Sequence, residues 1–145
     1  MSDDLHDLVS TQLRRARQRY TPGRRAIIAS LATLRRPVTV TELTDGGAAS
    51  SISSLYRNLS VLEQCGSVRR VVSSDDLTRY ELSEALSEHH HHVVCSHCGT
   101  VADITLPPTV EDALAKASVL AQNLHGFRVD GHHIELVGAC AACTN

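Results

Sequence analysis

Four of the five cysteines form two Cys-x-x-Cys pairs, Cys95/Cys98 and Cys140/Cys143, with 41 residues between them. Four thiolates held in two tight turns suit a tetrahedral zinc ion, and full thiolate ligation leaves no open coordination position, so such a site is structural. A redox dithiol needs only one pair. The first eight residues are acidic and lack the basic-then-apolar pattern of a secretory leader. No run reaches the roughly 18 apolar residues that a membrane span requires. The expected setting is the cytoplasm, where thiols stay reduced and paired cysteines hold metal in preference to disulfides. Cys65 stands alone and is expected as a buried helix residue.

Just before the first pair lies His89-His90-His91-His92. In an extended chain successive side chains alternate between faces, so His89 and His91 point one way and His90 and His92 the other. One short strand thus offers two pairs of imidazoles to two separate places. Neutral imidazole ligates zinc, iron and other first-row metals. Two imidazoles bind weakly, and candidates by type for the further ligands are Glu81, Glu84, Glu88, Glu111, His125, His132 and His133. The plainer alternative is a solvated polar strand.

Charge separates the chain into two parts. Residues 1–83 carry a balance of +3 and residues 84–145 a balance of −5. Between Arg14 and Arg70 eleven arginines face only Glu42, Asp45 and Glu63. Such a block suits a polyanion, because arginine forks neutralise phosphates and release counterions. A solvated basic face is the alternative that charge alone leaves open.

The elements that must position these groups can be read from periodicity and caps. Leu5, Leu8, Val9, Leu13 and Ala16 define a first amphipathic helix. Thr21-Pro22 opens a second, carrying Ile27, Ile28, Leu31 and Leu34 and stopping before Pro37. Thr39-x-x-Glu42 is a capping-box pattern for a short third helix, ended at Asp45-Gly46-Gly47. A fourth runs over residues 51–65 and closes at Gly66. Its apolar positions Ile52, Leu55, Leu59 and Leu62 are expected to be buried, leaving Ser53, Tyr56, Arg57 and Ser60 as a polar face fit to read a DNA groove. Residues 68–72 and 77–82 read as strands joined by a turn at Ser73-Ser74-Asp75-Asp76. Three helices and a hairpin make a winged helix-turn-helix, with residues 51–65 as recognition helix and residues 67–82 as wing.

Residues 84–88 form a polar hinge. Beyond it strands are expected at residues 89–94, 101–104 and 134–137, with a helix at residues 109–123. The helix carries Val110, Leu114, Ala117, Leu120 and Ala121 on one side. This alternation gives a small α/β domain, of a size that usually needs a metal or a partner subunit. The fold class is α+β: a winged-helix DNA-binding domain (1–83) and a metal-binding dimerisation domain (89–145).

Taken together, the motifs resemble the ferric uptake regulator family of metal-dependent repressors. The markers are Tyr20-Thr21-Pro22-x-Arg24, Leu55-Tyr56-Arg57-x-Leu59, Tyr80-Glu81-Leu82, the histidine run with Cys95-x-x-Cys98-Gly99, and His132-His133-x-x-Leu136-x-Gly138-x-Cys140-x-x-Cys143. The resemblance implies a structural zinc at Cys95, Cys98, Cys140 and Cys143. It implies a regulatory metal, Fe2+ or Zn2+, at Glu81, His90 and His92, and a second site at His89, His91, Glu111 and His132. It assigns DNA contacts to Tyr56 and Arg57, and to Arg19 from the N-terminal helix; Ser53 shares the polar face read above. The partners it implies are palindromic double-stranded operator DNA and a second copy of the chain, with no membrane.

The sequence departs from the family where iron sensors add a histidine from the DNA-binding domain: it reads Arg35-Arg36-Pro37. The cysteine and aspartate of zinc sensors are also missing from Leu82-Ser83-Glu84-Ala85 and Val68-Arg69-Arg70. Glu81 tilts the regulatory site toward iron, with zinc as the alternative, and the four cysteines point away from nickel- and manganese-sensing branches that lack them. An enzyme is not expected. The deaminase combination of His-x-Glu with Pro-Cys-x-x-Cys is absent, as is His-Glu-x-x-His. A zinc-ribbon interaction module is the more distant alternative.

Overall fold

A computed structural model describes residues 2–49, 51–73 and 75–144. Ser50, and Ser74 of the expected wing turn, lie outside the described residues. The chain divides into two compact units, residues 1–88 and 89–145. No helix among the described residues is long and apolar enough to cross a membrane.

In the first unit α1 (Ser2–Arg15), α2 (Pro22–Leu34), α3 (Val40–Asp45) and α4 (Ile52–Gln64) enclose an aliphatic core. Val9 and Leu13, Ile27, Ile28 and Leu31, Leu43, and Leu55, Leu59 and Leu62 meet there, joined by Val38, Val68 and Tyr80. The helix starts follow the sequence signals. Thr21 caps α2 by accepting from the Arg24 N–H, and Ser51 caps α4 by accepting from the Ser54 N–H. Thr39 and Glu42 form a reciprocal capping box that opens α3. The wing is β2 (Val68–Val72) paired antiparallel with β3 (Thr78–Leu82).

Two features depart from expectation. A short strand, β1 (Val38–Thr39), pairs with β3 and makes the sheet three-stranded in the order β1-β3-β2. Two residues are too few to show a period. Ile52, expected in the core, is 55% exposed; it is the first residue of α4.

The second unit is a three-stranded sheet of order β5-β4-β6, with β4 (His91–Cys95), β5 (Val101–Ile104) and β6 (Glu135–Gly138). β4 is antiparallel to β5 and parallel to β6. The crossover between them contains α5 (Pro108–His125), which ends at Gly126 in the left-handed region. Its apolar core is thin. Among the described residues only Val94, Cys95 and Val101 are buried apolar side chains, and α5 buries none. Leu120 on that helix is 56% exposed, and Leu124 and Phe127 are more so.

The capping box gives a direct test of the first unit. Replacing Thr39 by Ala removes the hydroxyl that accepts from the Glu42 N–H and should cost about 1 kcal/mol in urea unfolding. An unchanged midpoint would show that α3 does not depend on its cap.

Candidate metal centres and nucleic-acid interface

The first Cys-x-x-Cys closes the turn between β4 and β5, with Gly99 at φ 74° and its N–H donating to the Cys95 carbonyl. Parallel pairing of β4 with β6 places Gly138 beside Cys95 and carries the second pair to the same end of the sheet. All four sulfurs lie within 4.8 Å of one another. Cys98 Sγ and Cys140 Sγ are 3.7 Å apart. Four thiolates at the usual Zn–S length of about 2.3 Å define a tetrahedron with edges of about 3.8 Å, so the donor set fits zinc. The Cys140 N–H donates to Cys95 Sγ at 3.3 Å. That bond, with backbone donors in the turn, holds the Cys95 thiol down to about 5, while its neighbouring sulfurs push Cys143 up to about 12. A cluster that favours thiolate at one sulfur and opposes it at another is relieved by a shared cation.

The histidines divide as the pleat requires, although β4 begins only at His91. His89 and His91 meet edge to face with ring centres 4.7 Å apart, and His90 and His92 at 5.3 Å. On one side Glu111, from the first turn of α5, gathers three imidazoles. Its carboxylate oxygens lie 2.8 Å from His91 Nε2, 3.0 Å from His132 Nε2 and 3.4 Å from His89 Nε2. The same bonds, His91 foremost, hold the Glu111 carboxyl below the usual range. The Ile134 N–H donates to His91 Nδ1, leaving the ring proton on Nε2 facing Glu111. A metal held at Nε2 would require the other tautomer, with the proton on Nδ1 in place of the bond from the Ile134 N–H.

On the other side His90 Nε2 and His92 Nε2 each lie 3.9 Å from a different oxygen of Asp103. That is too long for a hydrogen bond. It is within the roughly 4.2 Å that two ligand atoms can span when each is about 2.1 Å from one ion. Asp103 was not singled out in the sequence. It reaches His92 because the length of the β4–β5 turn sets the register His92↔Asp103. An aspartate in the otherwise apolar Val101–Ile104 strand was the available signal, but its partner depends on the register.

Glu81 belongs to the first unit, on β3, where it is buried and faces Arg69 across the ladder. Of the other carboxylate and imidazole candidates, Glu84 pairs with Arg69, and His125 and His133 are exposed and join no ligand group among the described residues. Arg35 is the left-handed C-cap of α2 and Arg36 pairs with Glu42 at 2.7 Å, so that segment is committed to closing one helix and opening the next.

The basic face belongs to the same unit. Ser53, Tyr56 and Arg57 are exposed along α4, and Ile52 joins them. Arg19 is exposed in the segment between α1 and α2. Arg24 ties that segment to α4: its guanidinium donates to the Arg19 carbonyl at 2.5 Å and to Asn58 Oδ1 at 3.3 Å. Tyr20 bonds His6 Nδ1 and lies under Arg25, and burial pushes its hydroxyl up to about 12. At the wing tip Arg79 grips both oxygens of Asp75, at 2.9 and 2.7 Å, and holds that carboxyl down to about 2.

Residues 15–137 match the sequence model of the ferric uptake regulator family, a span that includes the histidine run, the wing and the first cysteine pair. The chain belongs to the ferric uptake regulator family. The peroxide-responsive repressor PerR of Staphylococcus aureus is 29% identical over 135 residues, covering 90% of this chain and 86% of its own. Among solved structures, the Helicobacter pylori ferric uptake regulator matches with a TM-score of 0.80 at 21% identity, over all of this chain and 95% of that one. A zinc-bound manganese uptake regulator matches at 0.67 and 29% identity, over 91% of this chain and 98% of its own. A zinc uptake regulator complexed with zinc and DNA matches at 0.59 and 23%, over 98% and 94%. The fold of the family is therefore the fold of this chain.

The thin core of the second unit makes the thiolate cluster testable. Replacing Cys98 by Ser should leave the amides of residues 91–104 unprotected against hydrogen exchange while Leu55, Leu59 and Leu62 stay protected. Full protection in both units would mean that the sheet holds without the cluster.

Proposed function

We propose that this chain is a metal-responsive transcriptional repressor that binds palindromic operator DNA as a homodimer and controls iron homeostasis. The observation that carries the reading is the division of one histidine run between two ligand groups in a family whose first unit presents an exposed Tyr56-Arg57 helix face. In this reading residues 1–83 bind DNA, residues 84–88 are the hinge and residues 89–145 bind metal and dimerise. The Cys95, Cys98, Cys140 and Cys143 thiolates hold structural zinc. Leu120, Leu124 and Phe127, exposed on and after α5, supply apolar surface for a second copy.

The regulatory ligands are Glu81, His90 and His92, to which we add Asp103. Two imidazoles and two carboxylates with no thiolate make an oxygen/nitrogen site of a kind that suits ferrous iron. The second group is His89, His91, Glu111 and His132. When bound, the regulatory metal supplies a tie between ligands of the two units. Glu81, at the end of the wing strand, and His90 and His92, at the start of the other unit, then fix the hinge between them. In a dimer this fixes the separation of the two α4 helices, which must match successive major-groove faces. Coupling of about 1–3 kcal/mol between metal and DNA is the typical scale, and DNA raises metal affinity by the same factor. On DNA, Arg57 and Tyr56 face base edges, Ser53 adds a hydroxyl, and Arg19 meets phosphate.

Metal titration with operator binding as the readout, comparing ferrous, zinc and manganous ions, tests the reading. Ferrous ion should support repression-competent binding; a response to zinc alone would make the chain a zinc-uptake repressor. His90→Ala combined with His92→Ala should abolish metal-dependent gel shift yet leave a folded dimer containing zinc. An unfolded product would place those histidines in the structural site instead. Arg57→Ala should cost about 1–3 kcal/mol of operator affinity with metal content unchanged.

A further inference from the structure

We propose that Arg69 is a built-in competitor cation that sets the metal threshold of the regulatory site through Glu81. The inference rests on the reading of Glu81 as a regulatory ligand and goes beyond it to a residue that ligates nothing. Arg69 on β2 stands directly opposite Glu81 on β3. Its Nε donates to Glu81 Oε1 at 2.5 Å and its Nη1 to Glu84 Oε1 at 2.9 Å. One planar guanidinium therefore serves two carboxylates, one in the wing and one in the hinge. The neighbouring Arg70 points away and pairs with Glu63, as strand alternation requires.

Burial decides the sign. The Glu81 side chain is 5% exposed and that of Arg69 28%, so water screens their interaction poorly. A divalent ion at Glu81 shares its carboxylate with a permanent positive charge already bonded to the other oxygen. That charge repels the ion and has already drawn on the ligand's electron density, so the site fills only at a higher free metal concentration. Arginine cannot shed its proton to relieve the conflict. The bond to Glu84 fixes the guanidinium at two points, which keeps the charge from swinging out to solvent.

The test is titration of the full-length, zinc-loaded protein with Mn2+, followed by calorimetry. Two binding steps are expected, one for each of the remaining ligand groups. Glu81→Gln should weaken one step and so identify it. Arg69→Gln should move that same step to about tenfold lower concentration and leave the other in place. Arg69→Met, which keeps the aliphatic stem packed, should do the same and stands in if the glutamine variant fails to fold. Arg69→Lys retains the charge and should stay within about threefold of the unaltered protein. A regulatory step that is unchanged or weaker in both neutral variants overturns the proposal while leaving Glu81 as a ligand. If Glu81→Gln moves neither step, the carboxylate is not a ligand and the functional reading falls with it.

Discussion

The sulfur cluster at Cys95, Cys98, Cys140 and Cys143 is the constraint from which the second unit takes its form. Among its described residues only Val94, Cys95 and Val101 are buried apolar side chains, so aliphatic contact contributes little to holding the sheet. The first cysteine pair closes the turn that sets β5 against β4, and the second brings β6 in on the other side. Once those registers are set, everything chemical in the unit follows. His92 falls opposite Asp103, and Ile134, just before β6, reaches the ring of His91. The cluster is remote from both histidine groups in chemistry, yet it positions the ligands of each.

The first unit is organised by different physics. Its aliphatic core needs no ion, and its polar work lies at the helix starts and on the surface. Arg24 links the segment bearing Arg19 to α4 through Asn58, so two of the proposed DNA-contacting stretches are held in one hydrogen-bonded frame. Asp75 and Arg79 stiffen the wing tip in the same manner. A basic surface presented on rigid elements places charge where phosphates lie and loses little entropy on contact.

What could be read from the sequence was whatever is local. Thr21-Pro22 and Thr39-x-x-Glu42 announce helix starts because capping uses neighbouring groups, and each is found as a cap. The histidine alternation was legible because a pleat is a property of a single strand. Features that depend on distant partners were not. β1 exists only through its pairing with β3, and Asp103 acquires its role only through the β4–β5 register. Ile52 fits the apolar period of α4 and Leu120 that of α5, yet both are more than half exposed. Periodicity reports which side chains share a face, not whether anything covers it.

The parallel pairing of β4 with β6 has a kinetic consequence. Parallel neighbours cannot be joined by a tight turn, and here the crossover from Cys95 to Glu135 includes the whole of α5. The ends of that long loop must meet before a single β4–β6 bond forms, and the entropy of closure is spent in advance of any return. The first unit carries a closure of similar span, between Val38 on β1 and Tyr80 on β3. Each unit therefore completes its sheet late, the first when β1 joins β3 and the second when β6 joins β4.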